Sequence, residues 1–267
     1  MIHRLSKHSF VRDDGKVFFL GRKCKLTDSR TLRLQFSTKD RFVDPELLPP
    51  LVAQTHWLDN LTAGDFPMDL NDSLGDCTCA AQAHLVTSIT ANSGNPGRIV
   101  PSASAVLTMY EASGYKPGEP STDNGWTLYQ AAKYMQQTGL AGVKADAYCD
   151  IGIGEYDIKY AVQLFGGCIL GVHLPQSAME SFGRGVWSDI SDTDILGDHA
   201  LAFLDFTPNG AVCATWGGLQ AATWDWVLAY TDEAQVLLFY DWIRRNGTAP
   251  SGLDLAALDA ARAKLQA

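Results

Sequence analysis

Between Cys77 and Asn92 the chain reads CTCAAQAHLVTSITAN, sixteen residues without a single Asp, Glu, Lys or Arg. Cys77, Ala80, Ala81, His84, Leu85, Ser88 and Ile89 fall on one stripe at helical spacing. With small side chains and no charge on its other faces, this helix needs protein on most sides and cannot lie on a surface. The run Asn92-Ser93-Gly94-Asn95-Pro96 stops it. A helix of this kind demands a domain large enough to enclose it, and 267 residues with 46% hydrophobic content supply one.

Further elements follow from the same reading. Ser102–Glu111 is a shorter helix, and Trp126–Thr138 is a third, ended by Gly139. Near the start, 16–20 (KVFFL) and 31–36 (TLRLQF) read as strands, the second alternating Leu32, Leu34 and Phe36 with Arg33 and Gln35. After residue 145 the pattern turns to strands: Cys168–His173, Ala200–Phe206, Ala211–Thr215 and Val236–Phe239. Helices first and strands later predict an α+β fold in which the two segregate. Prolines at 45, 49 and 50 place a boundary after a β-rich extension, residues 1–55. The main domain is expected over 56–248 and a last helix over 249–267, with Ser251 as its cap.

The net charge of −9 is unevenly spread. Residues 1–41 hold 11 of the 21 Lys and Arg but 4 of the 30 Asp and Glu, a local +7 against −16 for the rest. Such a basic segment either docks on the chain's own acidic body or reaches a partner protein as an assembly arm. It lacks the aromatic–basic interleaving of a nucleic-acid binder. The apolar runs fall short of the roughly 18 residues a membrane span needs. No apolar stretch follows the basic start, so no signal peptide is visible, and the six cysteines read as reduced thiols of a protein made in the cytoplasm. No cofactor is implied: Cys77, Cys79 and His84 fall short of four metal ligands.

Chemistry concentrates where the polar stretch Leu70–Asp76 delivers Cys77 to the first turn of the buried helix. A helix N-terminus favours thiolate, and its free N–H groups favour an oxyanion on a substrate carbonyl. A thiolate nucleophile needs a base, and His199 in Gly197-Asp198-His199-Ala200, at the opening of a strand, is the best placed.

The series Leu74-Gly75-Asp76-Cys77-Thr78-Cys79, then Asp123-Asn124-Gly125 before a helix, then His199-Ala200, then Thr215-Trp216-Gly217 and Thr223-Trp224-Asp225-Trp226 resembles the papain-like cysteine peptidases. It is most similar to a divergent bacterial and bacteriophage branch whose nucleophile sits in a Leu-Gly-Ser-Cys-Thr-Ala pattern. The resemblance covers roughly residues 60–245. It implies a papain-like fold with a helical half and an antiparallel β half, Cys77 as nucleophile and His199 as base. Where the family has an oxyanion glutamine this chain has Asn71, and where it has an orienting asparagine this chain has Ala214, leaving the Thr215 hydroxyl as the substitute. Asp76 replaces a small residue, and its negative charge is expected to oppose thiolate formation. Two functions follow. One is a thiol hydrolase of peptides or proteins with an eroded site. The other is a non-catalytic assembly protein of a bacteriophage virion or tail, held to its partners through residues 1–41.

Overall fold

The computed structural model describes residues 1–26, 32–34, 49–93, 97–239 and 242. Three short strands open the chain: β1 (Ile2–Arg4), β2 (Ser9–Arg12) and β3 (Val17–Phe19), paired antiparallel in that order. A further strand, β4 (Leu32–Leu34), precedes the helical part. That part is α1 (Cys77–Ser93), α2 (Ala103–Glu111) and α3 (Leu128–Gln137). Ser102 and Thr127 start the last two by accepting from the backbone amides of Ala105 and Gln130.

The remainder runs β5 (Ala147–Ile151), α4 (Glu155–Phe165), β6 (Cys168–Pro175), α5 (Gln176–Ser181), β7 (Ile195–Thr207), β8 (Gly210–Thr215), β9 (Gly218–Thr223), α6 (Trp224–Tyr230) and β10 (Thr231–Leu238). The sheet order is β4-β5-β10-β6-β7-β8-β9, with every pairing antiparallel except β4 with β5. The α+β architecture expected from the sequence is present. The expectation of strands alone after residue 145 is corrected by α4, α5 and α6. In α4 the apolar residues Ile158, Ala161, Val162, Leu164 and Phe165 are nearly continuous, which hides the helical period, yet Glu155 and Asp157 fill the first turn and Gly166 ends it at φ 75°.

Helix α1 is buried from Cys77 to Thr90 and packs on α2, α3, β6, β7 and β8. Two of its threonines satisfy themselves internally, Thr87 donating to the Ala83 carbonyl and Thr90 to that of Val86. Tryptophans 216, 224 and 226 are all buried core residues, as their company in the sequence suggested.

The first 23 residues join this body. Phe10, Phe18 and Leu20 enter the same apolar core as α1 and the large sheet. Arg12 is buried and donates to the carbonyls of Phe182 (2.7 Å), Met179 and Glu180 at the end of α5. Of the two readings of the basic segment, its residues 1–26 follow the first, contact with the chain's own body. The helix expected over 249–267 lies outside the described residues.

Candidate active site

Cys77 opens α1 from a tight loop. Asp69 and Leu70 both take left-handed backbone conformations, φ 53° and 71°, which turns the chain so that Asn71 to Asp76 lead directly into the helix. Asp123 fixes the end of this loop by accepting from the Gly75 N–H and from the Tyr110 hydroxyl. Asn71 is buried, and its side-chain amide donates to the Leu74 carbonyl at 3.1 Å and also interacts with the Asp76 carboxyl.

His199 sits on β7 and is fully buried. Its Nε2 lies 2.7 Å from Thr215 Oγ1 on β8, and its Nδ1 has no hydrogen-bond partner among the described residues. Trp216 lies face to face with the imidazole, centroids 4.2 Å apart at 18°. The Trp216–Gly217 pair forms the β8–β9 hairpin turn with φ 44° and 73°, and this turn aims the indole back at β7. The backbone amides of Ala200, next to His199, and of Gly21 are directed at the Cys77 sulfur. So His199 and Thr215 meet directly, and the amide of Ala200 brings the His199 strand to the Cys77 sulfur, with Asn71 in the loop before α1.

Sequence reasoning missed what lies over them. Residues 20–23 continue from β3 as a strap through the cleft between the helical part and the sheet. Phe19 N–H donates to the Asn71 carbonyl, Trp126 N–H to the Gly21 carbonyl and Lys23 N–H to the Trp126 carbonyl, so that Arg22 pairs parallel to Trp126. From the other wall the Trp216 indole donates to the Phe19 carbonyl. Three glycines make the crossing. A Cβ on Gly21 would lie 1.7 Å from the Gly75 carbonyl oxygen, and one on Gly125 would lie 1.8 Å from the Gly21 carbonyl oxygen.

Arg22, also missed, is buried beyond the crossing. Its Nη1 is 3.2 Å from Glu233 Oε2, and its Nη2 is 2.8 Å from Asp232 Oδ1 and 3.6 Å from Asp198 Oδ1. Its guanidinium rests on Gly171 of β6, where a Cβ would come within 2.8 Å of Nη1. His173, half-exposed at the rim, bonds Asp198 at 2.7 Å.

Burial under the strap decides the protonation of the pair. It pushes the Cys77 thiol up to about 12, against the opposing pull of the Gly21 and Ala200 amides. It also drives His199 down to about 3, with Arg22 and His84 adding to the effect. The closed site therefore holds a neutral thiol and a neutral imidazole. Asp76 acts in the expected direction, adding to the rise of the Cys77 thiol. Its own carboxyl is fully buried, and burial together with Asp69 raises it well above the ordinary carboxylate range. Cys79 is buried in the core, and no cluster of three metal-ligating side chains occurs among the described residues.

No profile of a known protein family matches the chain, and no curated protein sequence does. Solved structures do. The chain is similar to xylellain, a cysteine protease from Xylella fastidiosa, at 12% identity and a TM-score of 0.66, over 90% of this chain and 99% of that one. It is similar to procathepsin B S9 from Trypanosoma congolense at 12% identity and a TM-score of 0.56, over 83% and 86%. It is also similar to the digestive procathepsin L 3 of Tenebrio molitor larval midgut at 13% identity and a TM-score of 0.54, over 78% and 74%. No described helix is long and apolar enough to cross a membrane. The chain has a papain-like α+β fold, the fold of these cysteine proteases.

Proposed function

We propose that the chain is a thiol hydrolase of peptide or amide bonds, with Cys77 as nucleophile and His199 as base and then acid. The observation that carries this reading is the division of labour on the imidazole. Nε2 is committed to Thr215, the ring is backed by Trp216, and Nδ1 is left without a partner on the strand whose next amide faces the Cys77 sulfur.

In the chemistry this arrangement supports, the Cys77 proton passes to His199 Nδ1 as the sulfur bonds to the substrate carbonyl carbon. The displaced electron pair rests on the carbonyl oxygen, held by the Cys77 N–H and by the Asn71 side-chain amide, which would turn from its Asp76 contact to donate. The C–N bond then breaks, and His199 returns the proton to the departing amine. Water, losing a proton to the same nitrogen, cleaves the thioester and restores the thiol. Thr215 keeps the ring in the orientation both transfers need. The strap has to leave the cleft first, because it occupies the space a peptide would take and keeps the pair dehydrated and neutral.

The test is alkylation of the full chain by iodoacetamide near neutral pH. In the wild type Cys24, which is exposed, is expected to react first, with Cys77 as slow as Cys79. With Gly21→Ala, which cannot seat the strap, Cys77 is expected to overtake Cys79 and a peptide reporter to be hydrolysed. Equal rates for the two thiols in Gly21→Ala would sink the proposal.

A further inference from the structure

The carboxylates around Arg22 are placed by a specific irregularity of the sheet. Consecutive strand residues point to opposite faces. The β10–β6 register shifts between Thr231 and Glu233, and this bulge lets both Asp232 and Glu233 reach the same guanidinium. Asp198 closes the third side from β7, and Gly171 supplies a floor that no larger residue would leave open. Glu233 is 1% exposed in its side chain, a buried carboxylate whose ion pair is with Arg22. Burial raises its pKa to about 7 despite the charges of Arg22 and Lys25, which marks the position as costly unless a cation fills it.

The occupant is a piece of chain lying in the cleft as an extended peptide. It pairs its backbone with Trp126, presents Gly21 to the Cys77 sulfur and drops the next side chain into this pocket. The fit is also incomplete, because Arg22 Nε and Nη2 make no hydrogen bond among the described residues, the Asp232 contact being an ion pair at 2.8 Å. A pocket that is built into the sheet, and filled from a segment docked by backbone contacts, is one that another peptide can fill.

We infer that this pocket is a guanidinium-selective side-chain subsite: peptides taken by the cleft carry an arginine next to the residue that meets Cys77, and Glu233 is the specificity-determining residue. The inference rests on the hydrolase reading for what happens to the peptide, but not for its binding. The planar fork of arginine meets the Glu233 and Asp232 walls at once, whereas a lysine ammonium is a point charge that satisfies one of them. Leucine would leave the carboxylates unpaired, and glutamate would add to their repulsion.

The experiment measures fluorescence anisotropy of labelled acyl-Arg-Gly-amide and of its lysine, leucine and glutamate counterparts with full-length Gly21→Ala. The arginine peptide is expected to bind at least about tenfold more tightly than the leucine peptide, with lysine between them. Adding Glu233→Gln is expected to remove most of that ratio. Equal binding of arginine and leucine, or a ratio indifferent to Glu233→Gln, overturns the inference. Arginine preference with an inert Cys77 would keep the subsite and reject the hydrolase; hydrolysis of all four peptides with equal binding would do the reverse. Should Gly21→Ala not fold, Arg22→Ala in the full chain decides. Ethylguanidinium is expected to raise its melting temperature where ethylammonium does not, and no rise with ethylguanidinium counts against the subsite.

Discussion

Thr215 Oγ1 and His199 Nε2 lie 2.7 Å apart across neighbouring strands, both buried, and this contact leaves Nδ1 as the imidazole nitrogen without a hydrogen-bond partner among the described residues. In the hydrolase we propose, the Thr215 hydroxyl orients the ring. Thr215→Val keeps the shape and removes the partner. It is expected to cost about 1–3 kcal/mol in urea unfolding, because a buried ring nitrogen is left unpaired. In the Gly21→Ala background the same change should lower peptide hydrolysis by more than about tenfold, by analogy with the loss of an orienting partner elsewhere. Unchanged turnover would remove Thr215 from the site.

The glycine crossing makes a prediction that separates backbone strain from strap displacement. Gly125 at φ 71° and Gly142 at φ 83° share a left-handed backbone, but a Cβ on Gly142 meets nothing within 4 Å. Gly142→Ala is expected to cost about 1 kcal/mol and leave Cys77 protected from alkylation. Gly125→Ala should cost more and expose Cys77. Hydrogen exchange at Leu20–Lys23 checks the cause: only Gly125→Ala should accelerate it.

Removing the Arg22 side chain strands Glu233. Arg22→Ala is expected to lose roughly 3 kcal/mol or more of stability, the usual consequence of leaving a buried charge unpaired. Combining it with Glu233→Gln should recover a substantial part. Urea denaturation of the two single variants and the double variant measures this coupling, and strict additivity would mean that the two side chains do not interact.

Two buried groups give pH dependences of opposite sign. His199, held at about 3, binds fewer protons folded than unfolded below its ordinary 6.5, so its contribution to stability is lost as pH falls from 6.5 towards 3. The loss is on the order of a few kcal/mol, and His199→Gln should flatten that limb of the curve. Glu233, held at about 7 from an ordinary 4.5, binds more protons folded, so its contribution is full below 4.5 and lost as pH rises through 7. Glu233→Gln, which does not ionise, should therefore gain on the wild type between pH 5 and pH 8. Urea midpoints measured from about pH 3 to pH 8 read both effects.

Much of this site was legible from the chain alone. The uncharged run behind Cys77 announced a buried helix, and His199 at a strand start and Thr215 sixteen residues later were singled out before any contact was known. The residues that close the site were not legible, for physical reasons. Gly21, Gly75 and Gly125 meet only after the fold brings together segments about fifty residues apart, and nothing local marks a backbone crossing. Arg22 sits in a basic run that reads as solvated charge, and its partners Asp198, Asp232 and Glu233 are converged by a bulge that has no local signature. The full burial of Asp76, which raises its own carboxyl, belongs to tertiary packing. The apolar run KVFFL just before Gly21 was the available hint that this part of the segment returns to the core.

Arg22 also sets the terms on which the cleft changes state. Withdrawing the strap takes a cation away from three carboxylates on two strands, so an empty cleft would be left with unneutralised charge. Vacancy is then the unfavourable condition, and departure of one cationic segment is coupled to arrival of another. The protein would respond to its ligand as an exchanger does, by trading occupants, and the rate at which it is switched on would track the concentration of the incoming peptide and the ionic strength around it.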